Sequence, residues 1–139
     1  MENRYLFRAK RIDNREWVEG YLSYPSCAEK GNESYYFYAK DSLGFFCRCV
    51  VDASTICQCT GLKDKNDKLI FENDIVSYWD SYSTENGLAE ADCIGKVVWD
   101  DETISFQVTN RLSAESWEVL DDECSVVGNA IDNPELLEV

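Results

Sequence analysis

The chain has 139 residues, with 27 acidic and 13 basic side chains, a formal net charge of -14 and no histidine. That length holds one ordinary domain or two small ones, and 45% hydrophobic residues, including 6 Phe, 4 Trp and 8 Tyr, supply a core rather than a disordered acidic tail. The lack of histidine excludes Ser-His-Asp and Cys-His nucleophiles and every histidine-containing metal site, and the net charge argues against coating nucleic acid by bulk charge.

Read in chain order, the sequence predicts short strands. Alternation of apolar and polar residues marks Tyr5 to Lys10, followed by a turn at Asp13-Asn14. Trp17 to Leu22 is the second strand, ending before Pro25, and Cys27 to Ser34 is a polar loop. Tyr35 to Ala39 is aromatic on both faces and reads as buried on both. Asp41 to Gly44 turns into a strand over Phe45 to Val51. Thr60-Gly61-Leu62 reads as a sharp turn, and Asn66-Asp67 as a reversal into a strand at Leu69 to Phe71. Ile75 to Trp79 follows, then a polar loop over Ser81 to Ala89. A hairpin joins Ile94–Trp99 to Ile104–Val108 around Asp100-Asp101-Glu102, and Leu112 to Leu120 has room for about two helical turns. Ser125 to Ile131 is the last strand, before a helical turn with Asn133 as cap and Pro134 at its first position.

Charge divides the chain. Residues 1–69 carry 11 Lys/Arg and 10 Asp/Glu, whereas residues 70–139 carry 2 and 17. The change falls near Thr60-Gly61, so the expected organisation is an N-terminal β region over 1–60 and an acidic β region over 61–139, packed as one unit. No segment approaches the roughly 20 apolar residues of a membrane span, and the opening Met1-Glu2-Asn3-Arg4 lacks a signal peptide's apolar stretch. The expectation is an intracellular protein, not bound to membrane, with its seven cysteines reduced.

Few residue groups invite chemistry. If Val51 paired with Thr55 across a three-residue loop, Cys47, Cys49, Cys57 and Cys59 would share one face and could bind zinc as a four-cysteine site. A two-residue loop would put the pairs on opposite faces, and buried thiols acting as small apolar groups are the simpler reading. A calcium loop counted from Asp64 fails, because its sixth and twelfth positions hold Leu69 and Ile75. The acidic runs Asp100 to Glu102 and Asp121 to Glu123 read as solvated turns. Near the start, Arg4, Arg8, Lys10, Arg11 and Arg15 interleave with Tyr5, Phe7 and Trp17, a pattern that can bind single strands. Glu2, Asp13, Glu16 and Glu19 dilute it, so no direct nucleic-acid binding is expected.

An ordered set of short motifs resembles the YopX family of phage and mobile-element proteins. They are Phe7-Arg8-Ala9-Lys10, Trp17-Val18-Glu19-Gly20, Thr55-Ile56, Thr60 to Asn66, Ile70 to Val76, Gly95 to Trp99, Val127-Gly128-Asn129 and Asn133 to Leu137. The family carries glycine where Asp67 and Asn73 stand, and Asp and Asn are the next best tolerated residues at positive φ. The resemblance implies a mainly β fold: an irregular N-terminal sheet region, then a small Src-homology-3-type barrel. It also implies homo-oligomers and the cytoplasm of a bacterial host, and it implies no activity, catalytic residue or cofactor. The conspicuous positions, Gly61, Asp64, Asn66, Asn73, Asp74, Gly128, Asn129 and Pro134, read as a structural turn motif. The functional expectation is a non-enzymatic, oligomeric phage or prophage protein that binds another macromolecule, with a basic host or phage protein as partner. Its alternatives are an acidic DNA mimic that decoys a host nucleic-acid-binding protein, and a zinc-binding module built on the four cysteines above.

Overall fold

The computed structural model describes residues 5–23, 35–40, 43–110, 116–118 and 123–137. They are mainly β, in two antiparallel sheets, and the chain divides into the units Met1–Cys59 and Thr60–Val139. No helix among the described residues is long and apolar enough to cross a membrane.

The first unit contains β1 (Phe7–Lys10), β2 (Trp17–Leu22), β3 (Tyr35–Lys40), β4 (Phe46–Val51) and the start of β5 (Cys57–Lys63), in the order β4-β3-β2-β1-β5. Its inner face buries Ala9, Phe37, Ala39, Cys49 and Val51, with Phe7, Val18, Tyr35 and Ile56 packed around them. Phe7 meets Phe37 edge to face, with ring centroids 6.5 Å apart. A single bridge from Arg11 to Val51 ties the end of β4 back to the segment after β1, so this sheet curls. Asp52 starts the 3-10 turn Ala53–Thr55 by accepting the Ser54 N–H, and Arg15 Nη1 reaches Asp52 Oδ2 at 2.9 Å. The Arg15 and Ser54 hydrogen bonds hold the Asp52 carboxyl below the usual carboxylate range.

The second unit contains the end of β5, β6 (Leu69–Phe71) and a five-stranded sheet. That sheet is built from β7 (Asp74–Thr84), β8 (Gly87–Asp100), β9 (Ser105–Asn110), β10 (Ser116–Glu118) and β11 (Ser125–Asn129), in the order β10-β9-β8-β7-β11. Its core is Ile70, Val76, Tyr78, Val97, Val108 and Cys124. A 3-10 turn over Pro134–Leu137 follows β11.

Several expectations change. The segment Ser81 to Ala89 is a hairpin instead of a loop: β7 and β8 pair without interruption to Thr84 and Gly87. Serine and threonine there supply full backbone pairing capacity, so polar composition alone did not mark a loop. Thr60, Gly61 and Leu62 lie inside β5, where Gly61 at φ 85° kinks the strand, and the chain reverses later, at Asp64 to Asp67. Ser116 to Glu118 is a strand paired with β9, not helix; residues 111–115 and 119–122 lie outside the described set. Tyr35 to Ala39 is buried on one face only, since Phe37 and Ala39 are buried while Tyr38 is 46% exposed. The sheets also do not close into a barrel among the described residues. The five-stranded sheet ends at β10 and β11, whose paired neighbours there are β9 and β7 alone.

Close approach of β2 and β3 requires a glycine at position 20. A Cβ there would run into the Tyr38 carbonyl oxygen and lie 3.0 Å from its carbon and 3.2 Å from the Ala39 Cα. These are backbone atoms of a paired strand and cannot swing away. Gly20→Ala is expected to destabilise the protein by about 2 kcal/mol or more. An unchanged urea midpoint would contradict this packing.

Candidate functional site

The turn-motif residues converge within the second unit. Asp64 is 4% exposed. Its Oδ1 accepts the N–H groups of Asn66 and Lys68, each at 2.9 Å, and its Oδ2 accepts the Val126 N–H at 2.9 Å. Burial alone would raise the Asp64 pKa, but the Val126, Lys68 and Asn66 donors outweigh it and hold the carboxyl below its ordinary value of 3.8. The Lys65 N–H donates to the Cys124 carbonyl, and Asn66 Nδ2 donates to Ser125 Oγ at 3.2 Å. Asp64 therefore sutures the β5–β6 turn to β11 across 62 positions of sequence.

Asp67 and Asn73 sit at φ 64° and 69°, in the left-handed region. Asp74, 1% exposed, accepts the Phe71 N–H at 2.8 Å and shapes the β6–β7 turn. The Asn73 N–H donates to Val97 and its carbonyl accepts from Ala130. Asn129 Oδ1 accepts the Ile131 and Asp132 N–H groups, and the Asn133 side chain accepts the Asn129 N–H. Gly128 lies under this turn, where a Cβ would be 2.7 Å from Asn133 Oδ1. Pro134 opens the final 3-10 turn. Apart from the Asn66–Ser125 side-chain pair, each of these hydrogen bonds is made to a backbone group.

Gly61 to Lys65, Asp67 and Glu123 line an open cleft of about 770 Å³. Lys63 Nζ stands 3.3 Å from Asp67 Oδ1 on its rim.

The cysteine hairpin does not form. Cys47 and Cys49 on β4 oppose Ala39 and Phe37 of β3, whereas β5 pairs with β1, Cys57 opposite Arg8. Cys49 is buried, which raises its thiol pKa, and Cys57 and Cys59 are fully buried. Among the described residues, no group of three or more His, Cys, Asp or Glu side chains is placed to hold a metal ion. In the first acidic run, Asp100 Oδ1 accepts the Glu102 N–H and Asp101 accepts Trp99 Nε1–H, as a turn requires. Asp121 and Asp122 lie outside the described residues.

On the outer face of β1–β4, sequence reading noted Arg8, Lys10 and Trp17, discounted them for the interleaved acids, and missed the contribution of β3 and β4. Register puts Arg8 opposite Glu19, Lys10 opposite Trp17, Tyr21 opposite Tyr38, Tyr38 opposite Arg48 and Lys40 opposite Phe46, all on the face away from the core. Cations cover the rings: Arg48 lies 3.8 Å from the Tyr36 centroid, Arg8 5.0 Å and Lys10 5.5 Å from Trp17, and Lys40 5.3 Å from Phe46. The diluting residues Asp13 and Glu16 belong to the β1–β2 turn, where Arg11 binds Asp13 and Asn14 contacts Glu16. The signal was present in the period-two series Tyr36, Tyr38, Lys40, whose outward side the aromatic count hid.

A family model described as YopX protein matches residues 6–138. Among solved structures, the chain is similar to the crystal structure of protein EF1440 from Enterococcus faecalis, at 26% identity over 95% of this chain and 96% of that one, with a TM-score of 0.47. No curated protein matches the sequence.

Asp64→Asn keeps the shape but replaces one acceptor oxygen with a donor facing backbone N–H groups. The expected cost is about 2–3 kcal/mol at neutral pH. Because the folded-state pKa is depressed, the unfolded chain binds the proton first. The contribution is complete above the ordinary carboxylate pKa and is lost as pH falls through the folded value. Urea titrations should therefore show the wild type and Asp64→Asn converging in acid; a gap independent of pH would contradict the charged-acceptor role.

Proposed function

The chain belongs to the YopX family, and from that premise we propose that it is a non-catalytic protein of phage or prophage origin that acts by self-association and macromolecular binding. The observation that carries this reading is an apolar patch beside an open strand edge. Leu43, Phe45 and Phe46 are 80%, 69% and 61% exposed at the β3–β4 turn. β4 is the outermost strand of its sheet, and among the described residues its outer edge is bridged only near Val50 and Val51. A strand edge that is bridged at one end only among the described residues, with large apolar side chains beside it, favours pairing with a second copy. The buried carboxylate Asp64 supports a non-catalytic role, since backbone donors occupy both of its oxygens. The excess of 17 acidic over 2 basic residues in 70–139 supports a basic protein as a further partner of that half.

Size-exclusion chromatography with light scattering should give a defined oligomer at micromolar concentration. The double variant Leu43→Asp/Phe45→Asp should dissociate it, with circular dichroism unchanged. A wild-type protein that is strictly monomeric would overturn self-association, and an oligomer indifferent to the double variant would move it away from this edge.

A further inference from the structure

The outer face of β1–β4 combines aromatic rings with cations. Its residues are Arg8 and Lys10 on β1, Trp17, Glu19 and Tyr21 on β2, Tyr36, Tyr38 and Lys40 on β3, and Phe46, Arg48 and Val50 on β4. That is four cations against one carboxylate, in a chain whose net charge is -14. Five aromatic rings share the face, and Tyr38 and Phe46 are 46% and 61% exposed. Tyrosine and phenylalanine on an ordinary solvent-facing sheet surface forfeit apolar burial, whereas rings flanked by cations suit a ligand with both π-faces and negative charge.

We infer that this face is a stacking platform for a short stretch of single-stranded nucleic acid. A nucleotide strand supplies both complements: bases that stack on aromatic rings whatever their identity, and phosphates that pair with lysine and arginine. Arg48 contributes twice. Its guanidinium lies 3.8 Å from the Tyr36 ring centre, and Arg48 is itself exposed, so its outer plane offers a further stacking surface. The more open part of the face spans β2 to β4, since Arg8 and Lys10 on β1 are half-buried and Arg8 lies beside the fully buried Cys57 of β5. Three strands at a spacing of about 4.8 Å make a platform roughly 10 Å across, room for about two bases. A duplex, with its bases stacked internally, offers only phosphate. An acidic peptide without aromatic residues, such as polyglutamate, offers carboxylates and no flat ring system. The inference deepens the binding reading above and does not depend on self-association.

The test uses the full chain and a fluorescein-labelled oligothymidine of about twelve nucleotides, followed by anisotropy. Binding should be detectable with tens of micromolar protein, and the wild type should prefer the single strand over a duplex of equal length. With about three phosphates neutralised, affinity should fall roughly 20-fold between about 50 and 200 mM salt. Tyr38→Ala should weaken binding at least about 5-fold. Arg48→Ala should weaken it and flatten the salt dependence, while the uncharged Leu43→Ser/Phe45→Ser should leave affinity per chain within about two-fold. No binding at low salt would overturn the inference, as would equal affinity for duplex or for polyglutamate, or indifference to both Tyr38→Ala and Arg48→Ala. Light scattering on the same samples separates the readings: loss of nucleic-acid binding with the oligomer intact removes only this inference.

Discussion

Each backbone pair in β1–β4 forces the next side chain to the opposite face of the sheet. Both the core and the outer surface of the first unit follow from that constraint. Phe37 and Ala39 go in, so Tyr36, Tyr38 and Lys40 must go out. The register cannot slip by one residue without moving the whole apolar set into water. Gly20 adds a steric lock, because only a residue without a Cβ allows β2 to approach the Tyr38–Ala39 backbone this closely. The surface arrangement of rings and cations is thus fixed by the same pairing that buries Ala9, Phe37, Cys49 and Val51.

The second unit rests on an electrostatic device. Asp64 brings a charge into a buried position, which is costly unless hydrogen bonds replace water. Three backbone N–H groups do so, and two of them belong to its own turn while the third belongs to β11. Local turn formation and long-range strand placement are therefore coupled through one side chain. Gly128 and Asn133 continue the same logic at the end of β11, where the Asn133 side chain occupies the space a Cβ would need.

Part of this was legible in the sequence. Alternation located β1, aromatic and β-branched content located β2 to β4, and the resemblance to a family with glycine at positions 67 and 73 marked Asp67 and Asn73, which stand at positive φ. Strand partners were legible only where a tight turn joined them, as in the β8–β9 hairpin around Asp100 to Glu102. Alternation says which face a residue occupies and nothing about its neighbour, so the hairpin imagined for the two cysteine pairs gave way to β4 on β3 and β5 on β1. The β7–β8 hairpin was hidden because Ser81 to Thr84 is polar, although backbone pairing is indifferent to polarity. The outer face was hidden for a different reason. Summing charge along residues 1–20 mixes turn acids with strand bases, whereas the fold sends Asp13 and Glu16 to a turn and keeps Arg8 and Lys10 on the sheet.

The most direct measurement of the central claim, that the β1–β4 outer face is the binding surface, is an NMR titration of the isotopically labelled protein with a single-stranded oligonucleotide, read at the tryptophan indole N–H groups. Trp17 lies on that face beneath Arg8 and Lys10, while Trp79, Trp99 and Trp117 belong to strands of the second unit's sheet. The account predicts that the Trp17 indole resonance moves progressively and the Trp79 and Trp99 resonances stay in place. A Trp17 resonance that stays fixed while Trp79 or Trp99 shifts would contradict it.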